Sequence, residues 1–586
     1  MDRVCVVIGR SRHKMIQAEV QEAAQRGAKF IEIRLDLLSR TPDLKRLLLN
    51  KPCPLVATIR RVSDGGRWAG PEDTRLLLLR QAIVSGFDWV DLETDIADKI
   101  PRFGRVQRIV SYHNTAETPA ELEAIYQRMC QQDADVVKIA VTARKPADNL
   151  RVLALLRNAP KPTVAHCMGE LGFPSRILSL VCGAAFTYAA FNKERSIAPG
   201  LPDFDELVNL YQVHRLTPQT RLFAVVGDPI GHSYSPLLHN LLYRELGIDA
   251  VYLPMRVPEG ELAATLEAYR ALPVAGYSVT IPHKQAAAAL AHTRDRIVEQ
   301  IGAANTLLHT AEGFAAYNTD HRAVLDSLLA HLPAETPGTP GSLVGKTVLL
   351  LGAGGVARAV AHAVHQAGAK VIVASRTLER ANALASEVEG KAVDFQARHN
   401  VNCDIVVNGT PIGMHPHVDE SPVHVGFLRP NMLVFDTVYN PENTLLIKEA
   451  RSRGCATVTG LEMFVRQAAL QFAHFVGTEP PIARMTELLR QAISPVKYRL
   501  PSSEPGDAAA AAAPPAPSDT AALPASATTG PAPTPTPTPT PAPMPTPAPA
   551  ASDTPAPTPA PAASDTPAPA PTPTPETTDP PHHASE

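Results

Sequence analysis

The first 210 residues alternate between short apolar runs and stretches of helical period. Apolar, β-branched runs fall at 4–8, 30–35, 55–59, 89–92, 108–112, 136–141, 163–167 and 184–190. Between them, residues 15–26, 74–85, 119–131 and 147–157 repeat apolar positions at helical spacing, and Thr118 is placed to cap the third of these helices. Strands alternating with helices predict parallel βαβ units. Eight units in this length predict a closed (β/α)8 barrel, a fold whose chemistry sits at the C-terminal ends of its strands.

A buried parallel strand is expected to be apolar throughout, so its polar residues stand out. In Phe30-Ile31-Glu32-Ile33-Arg34-Leu35-Asp36, Glu32 and Arg34 share one face by period two, and Asp36 continues it. The third run ends in Arg60 and the fifth in Ser111-Tyr112-His113. The sixth, Val136-Val137-Lys138-Ile139-Ala140, places a lysine among apolar residues. Loss of solvation there favours a neutral, nucleophilic amine suited to Schiff-base chemistry. His113 on the neighbouring strand is a proton carrier for such a site. The competing reading is a structural ion pair between Lys138 and Glu32.

A second series begins after the polar joint Thr217-Pro218-Gln219-Thr220. A strand at 222–227 leads into a loop carrying Ser233 and Ser235. Thr280 and Lys284, Asn305, and then Asp320 follow at the ends of later apolar runs. Hydroxyls, amides, one Lys and one Asp suit a small polyhydroxylated anion. A Pro-, Gly- and Thr-rich stretch at 333–342 reads as a surface excursion. Next, a buried strand runs into Gly352-Ala353-Gly354-Gly355-Val356-Ala357 and a helix. Such glycines let backbone approach a pyrophosphate, whose charge the helix N-terminus favours. The following strand, 370–374, ends in Ser375-Arg376-Thr377, with Arg380 one turn on. An NAD site usually carries Asp or Glu there. Donors instead favour a 2′-phosphate, hence NADP.

The first series resembles type I 3-dehydroquinate dehydratase over residues 1–213. The resemblance rests on Glu32-Ile33-Arg34, Thr58-Ile59-Arg60, Ser111-Tyr112-His113, Val137-Lys138-Ile139-Ala140, Met168-Gly169, Ser175-Arg176 and Ala198-Pro199-Gly200, in that order. It implies that Lys138 forms an imine with the C3 ketone of 3-dehydroquinate. His113 then removes the C2 proton and later protonates the departing C1 hydroxyl. Glu32, Arg34, Arg60 and Arg176 hold substrate hydroxyls and carboxylate. Three positions depart from the family pattern. A Glu that assists the His falls on Asp64, and the lid Ser-Ala-Pro-Gly-Gln reads Ile197-Ala198-Pro199-Gly200-Leu201. Ser196, one position early, is the expected substitute for the missing lid serine.

The second series resembles shikimate dehydrogenase over residues 220–495. Asn408-Gly409-Thr410-Pro411-Ile412-Gly413-Met414, Asp436-Thr437-Val438-Tyr439-Asn440-Pro441 and Gly460-Leu461-Glu462-Met463 with Gln467 complete its motifs. The resemblance implies substrate contacts from Ser233, Ser235, Thr280, Asn305, Tyr439 and Gln467. It makes Lys284 and Asp320 the catalytic pair and sets the nicotinamide near Gly460 and Met463. A substrate lobe at 220–322, a Rossmann-type NADP lobe at 343–465 and returning helices at 466–495 are expected. The product of the first resembled enzyme, 3-dehydroshikimate, is the substrate of the second, which forms shikimate. The implied function is therefore bifunctional, in the shikimate pathway. Two alternatives stay open: a dehydratase fused to a quinate dehydrogenase for catabolism, and a regulatory protein with an impaired dehydratase unit.

Composition adds boundaries. Of 57 prolines, 27 lie in residues 501–586, where there is no Lys or Arg but eight acidic residues. Such a segment buries too little apolar surface to offset its ordering entropy, so a disordered Pro/Ala/Thr-rich tail is expected. The remaining 500 residues carry a net charge of +5, too mild to imply nucleic-acid binding. No apolar run of membrane-spanning length and no signal-peptide pattern is present. Seven scattered cysteines without CxxC spacing predict reduced thiols in a cytoplasmic protein. His415, His417 and His424 cluster without ligand-type support, so no metal is expected. The oligomeric state is not legible.

Overall fold

A computed structural model of the chain describes residues 2–231, 233–333 and 341–493. The expected tail at 501–586 and most of the 333–342 excursion lie outside the described residues.

Eight parallel strands form the first sheet: β1 (Val4–Ile8), β2 (Ile31–Arg34), β3 (Leu55–Thr58), β4 (Trp89–Glu93), β5 (Gln107–Asn114), β6 (Val136–Thr142), β7 (Thr163–Met168) and β8 (Thr187–Ala190). Their order is β7-β6-β5-β4-β3-β2-β1-β8. The ring is nearly closed, since the Ala185 N–H, just before β8, donates to Thr163 O at 2.9 Å. Alternate residues point inward. Cys5, Phe30, Val56, Trp89, Ile109, Val136, Val164 and Phe186 form the apolar floor of the interior. Glu32, Asp91, Ser111, Lys138 and His166 are the next inward residues along their strands, all buried. A floor of large apolar side chains thus carries a buried polar layer.

Two local expectations need correction. Asp36 does not continue the face of β2. The chain turns into a 3-10 helix at Leu35–Leu37, and Asp36 folds back onto Arg34 in a two-bond pair, both bonds 2.8 Å. Thr118 does not cap a helix. That helix is Leu122–Gln131 with Glu121 at its N-cap, and the Thr118 hydroxyl donates to Thr142 O at 3.0 Å instead. A backbone acceptor across the barrel rim outcompetes the local cap.

The second half holds two six-stranded sheets. The first contains β9 (Arg221–Gly227), β10 (Ala250–Arg256), β11 (Val274–Val279), β12 (Thr293–Arg294), β13 (Thr306–His309) and β14 (Phe314–Tyr317), ordered β10-β9-β11-β13-β14-β12. Here β13 runs antiparallel to both neighbours. The second contains β15 (Thr347–Leu351), β16 (Lys370–Ser375), β17 (Lys391–Asp394), β18 (Ile405–Asn408), β19 (Leu433–Asp436) and β20 (Ala456–Val458). All its pairs are parallel, ordered β17-β16-β15-β18-β19-β20, the doubly wound order of dinucleotide-binding folds. Helix Ile482–Ile493 returns to helix Ser235–Glu245, where Arg484 pairs with Glu245 at 2.8 Å.

The barrel and the first of these sheets share one continuous apolar core. Asn149 donates to the Tyr269 hydroxyl at 3.1 Å, and Arg256 pairs with Glu170 at 2.8 Å. The joint at 217–220 therefore separates the two halves in sequence but not in packing.

Candidate functional site

The barrel opens into a cavity of about 260 Å³ at the C-terminal ends of its strands. Glu32, Arg34, Arg60, His113, Lys138 and Arg176, all singled out in the sequence, line it. Register explains the convergence. Lys138 on β6 is level with Ser111 on β5, and His113 with Ala140, so the imidazole stands one inward step above the amine.

Lys138 is not in apolar surroundings, which corrects the expectation of a solvation-starved lysine. Its Nζ lies 3.0 Å from Asp91 Oδ2 and 3.5 Å from Glu32 Oε2, and 4.1 Å from the centre of the Tyr188 ring. The ion pair with Glu32 and a place in the cavity coexist. Burial alone would raise the Asp91 carboxyl, but Arg60 and Lys138, with the Ser111 hydroxyl, hold it well below the usual carboxylate range. His113 is pushed far below its ordinary value by burial, reinforced by the charges of Arg60 and Lys138, so it is a neutral base at pH 7. Its Nδ1 has no hydrogen-bond partner among the described residues.

The cavity arginines differ in their freedom. Arg34 is taken by Asp36, and Arg60 by Asp91 at 2.8 Å and Glu93 at 2.9 Å. Arg176 is 1% exposed, and its Nε has no partner among the described residues. Burial lowers its guanidinium to about 10, which leaves it charged at neutral pH. An unpaired buried guanidinium facing a cavity suits a carboxylate. Ile197, Ala198, Pro199 and Leu201 also line the cavity, and Ile197 and Leu201 pack against the apolar cluster that includes Val7 and Tyr188. Asp64 also lines the cavity, but its carboxylate binds Arg61 at 2.7 Å and the Ser63 hydroxyl at 2.9 Å. Ser196 turns its hydroxyl to Ala198 O at 2.9 Å, so it does not replace the lid serine.

In the second half, Lys284 Nζ lies 2.6 Å from Asp320 Oδ2, with both side chains buried. The loops that carry the predicted residues are tied together at the ends of β9 and β11. Thr280 N–H donates to Val226 O, Asp228 N–H to Ile281 O, and Ala304 N–H to Lys284 O. Ser235 N–H donates to Ser233 Oγ at 3.3 Å. Asn305 is held on both sides of its amide. Nδ2 donates to Thr319 Oγ1 at 2.8 Å, and Oδ1 accepts from Thr319 N and the Thr306 hydroxyl, each at 2.9 Å. Tyr439 stacks on Phe464 at 4.5 Å and meets Tyr234 edge-on at 6.3 Å, which brings the far lobe to the Ser233–Ser235 loop. Gln467 donates to Phe464 O at 3.0 Å, and Met463 is buried near it.

The glycine turn fits a dinucleotide. Gly352 has φ +104°, a left-handed backbone that favours glycine, and a Cβ there would meet Gly409 O at 2.9 Å. Gly354, the N-cap of helix Gly355–Gln366, has open space where a Cβ would sit, so the helix N-terminus is accessible to phosphate. Ala353 and Val356 pack partly on the lobe's apolar core, and Ala357 lies wholly within it. Beyond β16, Arg376, Thr377 and Arg380 are exposed. Thr377 N–H donates to Ser375 Oγ at 3.4 Å, whereas neither guanidinium has a partner among the described residues. A Cβ on Gly460 would meet Val438 O at 2.3 Å, so helix Gly460–Val476 starts hard against the Asp436–Tyr439 segment.

Comparison with known proteins places each half. A profile described as type I 3-dehydroquinase matches residues 4–218. Profiles for the shikimate dehydrogenase substrate binding domain, shikimate / quinate 5-dehydrogenase and the shikimate 5'-dehydrogenase C-terminal domain match residues 225–307, 337–437 and 460–490. The bifunctional 3-dehydroquinate dehydratase/shikimate dehydrogenase, chloroplastic, of Arabidopsis thaliana is 37% identical over 496 residues, covering 81% of this chain and 82% of the relative. The chain belongs to this bifunctional family. The shikimate biosynthesis protein AroDE of Chlamydia pneumoniae is 30% identical, covering 76% of this chain and 89% of its own. The shikimate dehydrogenase (NADP(+)) of Moorella thermoacetica is 39% identical over 285 residues, covering 47% of this chain and 94% of its own.

In this dehydratase–dehydrogenase, two buried carboxylates escaped the sequence reading, Asp91 beside Lys138 and Glu93 beside Arg60. Asp91 and Glu93 interrupt Trp89-Val90-Asp91-Leu92-Glu93 with the same period-two signature that exposed Glu32 and Arg34. Gln471, four residues after Gln467, is a second omission. It donates to Asn305 O at 2.8 Å and accepts from Ser278 Oγ at 2.9 Å, which supports the dehydrogenase site from behind. Among the described residues, no helix is long and apolar enough to cross a membrane.

Proposed function

We propose that the barrel dehydrates 3-dehydroquinate through an imine on Lys138 and that the second half reduces the 3-dehydroshikimate formed to shikimate with NADPH. The observation that carries the reading is the shared cavity of Lys138, a neutral His113 and an unpaired Arg176. Lys138 Nζ attacks the C3 ketone, and loss of water leaves the imine, which acidifies the C2–H. His113 accepts that proton, then returns it to the C1 hydroxyl as the C–O bond breaks. Hydrolysis of the imine frees the product and restores the amine. Arg176 receives the carboxylate, while Glu32, Arg34 and Arg60 hold the ring hydroxyls.

In the second half, bound NADPH supplies the hydride. Lys284 holds and delivers a proton at the C3 carbonyl oxygen, and Asp320 orients it. Ser233, Ser235, Thr280, Asn305, Tyr439 and Gln467 hold the carboxylate and hydroxyls. Gly352 to Ala357 receive the pyrophosphate, Ser375, Arg376, Thr377 and Arg380 the 2′-phosphate, and Gly460 and Met463 the nicotinamide. Seven free cysteines support a reducing compartment, the cytoplasm.

Borohydride with dehydroquinate should trap the parent chain covalently and should not trap Lys138→Ala; persistent trapping in that variant overturns the assignment. Comparing NADP-linked oxidation of shikimate with that of quinate separates the biosynthetic reading from the catabolic one. Coupling the assay to dehydroquinate input tests both halves together.

A further inference from the structure

Between the outer wall of the barrel and Lys138 runs an unbroken line of ion pairs of alternating sign. It starts at Glu72 on helix Glu72–Ser85, whose Oε1 lies 2.7 Å from Arg75 Nη2. Arg75 Nη1 lies 2.7 Å from Glu93 Oε2, and Glu93 Oε1 lies 2.9 Å from Arg60 Nη1. Arg60 Nη2 lies 2.8 Å from Asp91 Oδ1, and Asp91 Oδ2 lies 3.0 Å from Lys138 Nζ. Arg75 has no solvent exposure, yet it lies outside the cavity lining. Its Nη1 also donates to Ile59 O at 2.9 Å, at the strand end that carries Arg60.

We infer that Arg75 is a positioning residue for the imine-forming lysine, an inference that rests on the reading of Lys138 given above. Glu93 is shared, one oxygen to each guanidinium. Because Arg75 holds one oxygen, Arg60 makes a single contact with Glu93 and keeps Nη2 for Asp91. Asp91 in turn keeps its second oxygen for Lys138. Without Arg75, Glu93 is a buried carboxylate with one oxygen stranded. The planar fork of Arg60 matches a carboxylate at two points, so Arg60 turns to satisfy both. Asp91 then loses its main partner, and the lysine loses the group that fixes its amine. Covalent attack depends steeply on that placement. Arg75 touches neither the cavity nor the lid, but Arg60, which it keeps in place, lines the cavity and holds a ring hydroxyl, so the loss falls on KM as well as on kcat.

The test is dehydroquinate turnover by the full chain, with NADP-linked shikimate oxidation as an internal control for the second half. Arg75→Met should lower kcat for dehydration about tenfold or more and raise KM as Arg60 turns from its hydroxyl, with shikimate oxidation unchanged. Adding Glu93→Gln removes the stranded charge and should return kcat to within about threefold of the parent. Arg75→Met with parental kcat overturns the inference, as does a loss that Glu93→Gln leaves unrepaired, since Arg75 would then act only by packing. If Arg75→Met leaves the barrel unfolded by near-UV circular dichroism, the double variant decides alone, and its failure to fold also overturns the inference. Lys138→Ala runs alongside. If that variant is still trapped by borohydride, the reading of Lys138 fails; if it is not, the Arg75 result stands on its own.

Discussion

Gly355 and Lys284 meet across the two lobes of the dehydrogenase half: a Cβ on Gly355 would lie 3.3 Å from Lys284 Cδ. The first residue of the dinucleotide helix thus packs on the stem of the lysine whose amine is held 2.6 Å from Asp320. That spacing is tighter than ordinary van der Waals contact, and the lysine is pinned at its far end. Gly355→Ala should therefore displace the amine by a few tenths of an ångström and lower kcat for shikimate oxidation about tenfold. Dehydration in the barrel should not change. Steady-state rates of both activities on one preparation check this.

Arg376 and Arg380 stand exposed beyond β16, and neither forms an ion pair among the described residues. If they receive the 2′-phosphate, replacing both with alanine should raise KM for NADP by about two orders of magnitude while leaving KM for NAD nearly constant. Equal losses with both dinucleotides would assign the arginines to a general structural role.

The lid of the barrel presents Ile197 and Leu201 where the family carries polar residues, and both pack on apolar neighbours. Leu201→Gln should add a hydrogen bond to bound substrate and lower KM for dehydroquinate about tenfold, the effect of one bond to a charged group. The same change removes apolar contact and should lower the barrel's melting temperature by a few degrees. A lower melting temperature with unchanged KM would show that the lid holds substrate by shape alone.

Acid stability follows from buried histidines. Burial pushes His113 and His166 well below their usual range, and pushes His239, stacked on Tyr252 at 4.3 Å, down to about 3. The unfolded chain binds these protons near pH 6.5 and the folded chain does not, so stability falls as pH drops below that value. Each such histidine costs about 1.4 kcal/mol per pH unit over that window. Asp203 and Asp436, which burial raises to about 6, act in the opposite direction between the usual carboxylate range and pH 6. His239→Phe isolates one contribution. Its melting temperature relative to the parent should rise progressively from pH 6.5 to pH 4.5. A difference that stays constant with pH would show that His239 does not titrate on unfolding.

Much of this protein was readable before any coordinates. Period-two alternation in strands of otherwise apolar composition exposed Glu32, Arg34 and Lys138. A strand, a glycine turn and a helix exposed the dinucleotide site, because backbone geometry there demands glycine. Both signals are local, so a linear chain displays them. Of the partners of those residues, only Glu32 beside Lys138 was readable. Asp91 shows the same alternation as Glu32, yet its place beside Lys138 depends on the register of three strands, β4 to β6, and Lys138 and Asp91 are 47 positions apart. Arg75 lies on an outer helix among residues of ordinary surface type, and only packing shows that its side chain passes inward to Glu93. The joint at 217–220 looked like a separation, whereas the apolar core runs through it. Local patterning along the chain marks the groups to which the chemistry is assigned. Tertiary structure decided how their charges are shared, because ion pairing in a buried layer depends on distances of about 3 Å between residues remote in the chain.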